Sequence, residues 1–164
     1  MRQLIFLIGV YLLTGCANPN VNPASARADT GYVDFYTDAD DGLNWEVARF
    51  DSSSQKFTAV YSEFKPLPDG ELRLALSPGN HLLRVTFLNR VVRGPAVLEI
   101  NVVNGKVTPV HVVLTSDGVT EVESKQRLPT YNLYNTFETE IYRVTAVANS
   151  PLPYRVKSEM PYAH

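Results

Sequence analysis

The sequence predicts an all-β protein: an antiparallel β-sandwich of about seven strands, with an N-terminal tether and an irregular C-terminal segment. Three observations carry that reading. Apolar and polar residues alternate at period two through most of residues 31–115, as in strands with one buried face. Gly, Asn, Asp and Pro cluster between these runs, where the chain must reverse. The chain holds 1 cysteine, so no disulfide framework replaces a hydrophobic core.

The N-terminus comes first. Met1-Arg2-Gln3 precedes LIFLIGVYLL, Leu4 to Leu13, the basic and apolar regions of a secretory signal. Ten helical residues rise only ~15 Å, about half the ~30 Å hydrocarbon core, so this run is too short to span a membrane. It ends in Leu13-Thr14-Gly15-Cys16. That motif resembles the lipobox of bacterial lipoproteins. The resemblance implies cleavage between Gly15 and Cys16 and acylation of the Cys16 thiol. Two or three acyl chains on one cysteine anchor a protein stably. By the sorting convention of enterobacterial lipoproteins, Ala17 in place of aspartate implies the outer membrane. In a Gram-positive cell the anchor would be the plasma membrane. Acylated Cys16 leaves no thiol for a metal or a disulfide.

The segment ANPNVNPASARADT, residues 17–30, has no period and little to bury, and reads as a flexible tether. Extended at ~3.1 Å per residue, it would lift a domain by up to ~43 Å. The predicted organisation is therefore a signal peptide over 1–15, anchor and tether over 16–30, a sandwich over 31–126 and an extension over 127–164.

The strands follow in order. GYVDFYT places Val33 and Phe35 on one face, and LNWEVARF does the same for Trp45 and Val47. FTAVYSEF is less regular. LRLAL, HLLRVTFL, VLEINVV and VTPVHVVL each alternate through three apolar positions. Pro68-Asp69-Gly70, Ser77-Pro78-Gly79-Asn80 and Ser116-Asp117-Gly118 read as turns, and Asn104-Gly105 as a hairpin. LRLALSPGNHLLRVTF and the apparent closing hairpin AVLEINVVNGKVTPVHVVL resemble transthyretin-like sandwiches of the PEGA type. The resemblance spans about residues 31–115, lacks the Pro-Glu-Gly-Ala signature, and implies a fold rather than an activity.

VTEVESK reads as one more edge strand. Beyond it the sequence supports two readings. Tyr134, Phe137, Ile141, Val144 and Ala148 fall at helical spacing, and Asn135 with Glu138 sits like a capping box. TEIYRVTAV is rich in β-branched residues and favours a strand. The last residues, SPLPYRVKSEMPYAH, carry three prolines and read as an irregular tail.

Net charge is −2, and loss of Arg2 with the signal leaves about −3. That balance argues against nucleic acid, which needs a basic field. Asp38-Ala39-Asp40-Asp41-Gly42 fails as a calcium loop, since Leu43 and Arg49 stand where glycine and a bidentate glutamate belong. His81 and His111 lack a third metal ligand at telling spacing. No Gly-x-Ser-x-Gly elbow or phosphate-binding glycine loop occurs. No cofactor, metal or catalytic set is expected. The candidate partner-binding residues are Arg90 and Arg93, on a loop suited to carboxylate or phosphate recognition, with Tyr131, Tyr134 and Tyr142 in the tyrosine-rich C-terminal segment. The expected function is that of a non-enzymatic, lipid-anchored accessory or assembly subunit of a cell-envelope complex. A glycan- or peptidoglycan-binding module is the alternative.

Overall fold

The computed structural model describes residues 20–38, 42–67, 70–127 and 132–163. Signal peptide, Cys16, Tyr131 and the central Asp38–Gly42 carboxylates lie outside that set. The described strands are β1 (Gly31–Tyr36), β2 (Trp45–Asp51), β3 (Lys56–Ser62), β4 (Leu72–Leu76), β5 (Gly79–Phe87), β6 (Val91–Val92), β7 (Ala96–Val102), β8 (Lys106–Arg127), β9 (Asn132–Ala148) and β10 (Leu152–Pro153). A 3₁₀ turn, Lys157–Glu159, follows.

The strands form two sheets. One has the order β4-β1-β8-β9-β6, with β10 also paired to β8; the other has the order β3-β2-β5-β7. They share one core. Val33, Phe35, Leu72, Leu74, Val110 and Val112 of the first sheet meet Trp45, Val47, Leu83, Val85, Ile100 and Val102 of the second. Trp45 lies between Phe35 and Phe87, with ring centroids 6.2 and 4.8 Å away. The alternating apolar positions of the sequence are the inward faces of both sheets.

Several expectations change. The described strands exceed seven, because β6, β9 and β10 join the set. Residues 132–148 form a strand, so β-branched content prevails over the helical spacing. Two pairings are parallel rather than antiparallel, β1 with β8 and β6 with β9. Parallel neighbours need a long connection, and the whole second sheet lies between β1 and β8 in the chain. Asn104-Gly105 closes no hairpin within a sheet: β7 and β8 belong to different sheets. The turn is a corner, with Gly105 at φ 66° and its N–H donated to Thr30 O at 2.9 Å. Ser116-Asp117-Gly118 is not a reversal either. Gly118, at φ 105°, sits where the register between β8 and β9 shifts, and the positive φ serves a bulge that lets one long strand continue.

The boundary expected at residue 126 divides nothing. β8 runs through it, and β9 is an interior strand of the same sheet. The terminal segments also belong to the fold. Asn20 bridges to Leu74, and Val21 N donates to Arg73 O at 2.9 Å. The segment expected to be a flexible tether is therefore docked from Asn20 onward. Across the outer face of β1 and β8, a second cluster of Tyr32, Val107 and Met160 gathers Val21, Leu152, Tyr154 and Tyr162 around it.

Candidate functional site

Two regions depart from an ordinary sandwich: a sealed polar network at one end of the large sheet and an open ribbon at the other.

The sealed network starts from a cross-strand pair. Asp34 of β1 stands opposite Arg73 of β4, on the face that alternation alone would leave in solvent. Both side chains are buried, and the pair is bidentate. Arg73 Nε donates to Asp34 Oδ1 and Nη2 to Oδ2, each at 2.6 Å. The tail completes the enclosure. Arg73 Nη1 donates to Arg155 O at 2.7 Å, Tyr162 donates its hydroxyl to Asp34 Oδ2 at 2.6 Å, and the guanidinium stacks 5.2 Å from the Tyr154 ring centroid. Burial opposes the guanidinium charge, but the Asp34 carboxylate more than offsets it, so Arg73 titrates above the ordinary arginine range. Burial first, then the facing Asp34 charge, pushes the Tyr162 hydroxyl far above the ordinary tyrosine range. With every prominent donor directed at an internal acceptor, this network locks the tail to the sheet. Asp34 and Arg73 themselves are fully enclosed.

The N-terminal segment is tied into the same seal. Asn22 Oδ1 accepts from Lys157 N at 2.9 Å, the Tyr154 hydroxyl donates to Pro23 O, and Lys157 Nζ donates to Glu71 O at 3.3 Å. His111 lies nearby, paired with Asp38 at 2.9 Å and stacked on Tyr36. His81 Nε2 contacts Ser77 O at 2.8 Å. Among the described residues no three His, Cys, Asp or Glu side chains gather as a metal site.

The open region is the far half of β8 and β9. Beyond the bulge, Val119–Arg127 pairs in continuous register with Asn132–Glu140. This two-stranded ribbon extends about 30 Å at ~3.3 Å per residue. β1 pairs with β8 only as far as His111, and β6 meets β9 only at Ile141 and Tyr142. Both outer edges of the ribbon therefore run without a strand partner among the described residues. Val119 is 63 % and Phe137 50 % exposed. Glu121 stands directly opposite Glu138, a like-charge pairing that destabilises a sheet. An isolated two-stranded ribbon is marginal in water, and free edges are templates for further strands.

At the ribbon's base the structure gathers three of the expected residues. Arg90 and Tyr142 line an open groove of about 400 Å³ with Leu88, Asn89, Thr139 and Glu140. The Tyr142 hydroxyl donates to Glu140, and that hydrogen bond raises the tyrosine pKa. The Arg93 side chain, itself largely exposed, pairs through Nε with Asp117 at 2.5 Å, which also takes Arg143 at 3.2 Å. These ion pairs brace the bulge against the β6 loop. Tyr134 lies on the ribbon, opposite Lys125 in register, with its side chain outside the described set. Sequence reasoning missed Asp34 and Arg73, and the acidic positions of the ribbon.

Comparison with protein-family models, with curated proteins and with solved structures found no match to the chain.

Proposed function

We propose that this chain is a lipid-anchored, non-enzymatic assembly subunit of a cell-envelope complex, docking through its β8–β9 ribbon. The supporting observation is the ribbon itself: it projects past the sandwich with both edges open among the described residues and apolar side chains exposed. Extended segments bind such edges by adding a strand, which gives affinity through main-chain hydrogen bonds. Leu13-Thr14-Gly15-Cys16 supports the anchor and Ala17 an outer-membrane address. The sandwich, transthyretin-like in this reading, serves as the rigid mount. Docking of the terminal segments brings that mount close to the anchor, since Asn20 is already bound to the sheet.

The test is co-purification from gently solubilised native membranes. Full-length protein is compared with a variant whose residues 119–140 are replaced by an Asn-Gly turn, and with Cys16→Ser. A defined set of envelope proteins should accompany the wild type and be lost from both variants. Retention of the same set by the ribbon-less variant would sink the docking role, and retention by Cys16→Ser would sink the need for the anchor.

A further inference from the structure

We propose that the outer edge of β8 pairs with the same edge of a second copy, antiparallel, about a two-fold axis at Ser124. The segment Glu121-Val122-Glu123-Ser124-Lys125-Gln126-Arg127 is antisymmetric in charge about its middle. An antiparallel pairing centred on Ser124 sets Glu121 opposite Arg127 and Glu123 opposite Lys125, twice over by symmetry. All four charged positions have the same parity, so they fall on one face of the strand. Cross-strand opposite charges each stabilise a sheet by ~0.2–1 kcal/mol. An isologous interface requires this kind of self-complementarity.

Two further observations favour β8 over β9 and a second copy over an unrelated strand. The β9 edge from Asn132 to Glu140 carries Glu138 and Glu140 and no basic residue, so no pairing with its own copy sets opposite charges together. Within one chain Glu121 faces Glu138; in the pair, Arg127 of the second copy arrives beside that acidic couple and relieves it. Geometry permits the approach. The axis lies 13 residues beyond His111, the last β8 position paired with β1. At ~3.3 Å per residue, the end of β1 stands about 43 Å from the axis, and the β6 loop packs on the β9 side, so neither blocks the β8 edge. The resulting four-stranded sheet, β9-β8-β8-β9, leaves each β9 edge open for a different partner. A seven-residue pairing is small beside a standard interface of ~1,600 Å², so the association is weak and reversible.

The test places a thiol on the axis. In full-length protein carrying Ser124→Cys, the two thiols face each other and a short bis-maleimide joins two chains. Thr136→Cys, on the β9 strand, should crosslink poorly. The wild-type chain should give no crosslink, because acylated Cys16 has no thiol. If it does crosslink, the anchor reading fails while the pairing is tested in a Cys16→Ser background. Reversing the charges, as Glu121→Lys with Glu123→Lys or as Lys125→Glu with Arg127→Glu, should weaken dimerisation at least about tenfold. Mixing the two reversed chains should restore it. Equal crosslinking at positions 124 and 136, or a dimer indifferent to both reversals, overturns the pairing.

Discussion

One strand, β8, passes through two environments. Near its start Val107, Val110 and Val112 are fully buried, held between β1, β9 and the terminal segments. Past the bulge at Gly118 the same strand enters a ribbon none of whose described side chains is buried. At the first end, Asp34 and Arg73 are paired and covered. At the second, like charges oppose each other and, among the described residues, both edges stay open. A chain that seals its most expensive charges under its own termini, yet leaves about 30 Å of ribbon uncovered, separates a stabilising task from a binding task.

The sharpest way to break that contrast is at the sealed end. Arg73→Met leaves the Asp34 carboxylate buried and unpaired, and should cost about 3–5 kcal/mol, read as a fall in the denaturant midpoint. Adding Asp34→Leu should recover much of the loss, because an apolar pair of similar volume is often neutral. Met160→Ala, beneath the tail, should cost about 2–5 kcal/mol. Tyr162→Phe removes the donor to Asp34 and should cost about 1–3 kcal/mol.

Tyr162 also fixes a pH dependence. Its folded pKa is raised, so its contribution is fully present below the unfolded tyrosine value of ~10 and is lost as pH rises above it. Unfolding titrations should show stability falling above about pH 10, less steeply in Tyr162→Phe. Equal slopes would mean that the hydroxyl is not held as described. At the open end the expectation reverses. Phe137→Ser, at a half-exposed ribbon position, should shift stability by no more than about 0.5 kcal/mol, while reducing recovery of partner proteins. A large loss of stability there would mean that the ribbon is part of the core.

What was legible followed period two. Val33, Trp45, Leu74, Val85 and Ile100 alternate with polar residues and all face the shared core. The sealed network was not legible, because Asp34 and Arg73 occupy outward positions that ordinarily meet water. Their burial depends on a tail whose prolines and tyrosines carry no period. Turn chemistry marked where the chain bends but not where it goes: Asn104-Gly105 and Ser77-Pro78-Gly79 both lead from one sheet to the other. The ribbon was half legible. The β-branched run TEIYRVTAV pointed to a strand, and Tyr142 and Arg90 do meet at its base. Its pairing with VTEVESK needed the bulge at Gly118, which in sequence looks like a turn.

Hydrogen exchange along β8 tests the contrast most directly. It would be followed in the dilute isolated chain and in the chain within its native membrane. Amides of Val107–Val112 should be protected in both. Those of Val119–Arg127 and Asn132–Glu140 should exchange quickly in the isolated chain and become protected in the membrane, where a strand can add to the edge. Equal protection of the ribbon in the two settings, or ribbon amides as slow as those of β1 in the isolated chain, would contradict the division between a sealed end and a docking end.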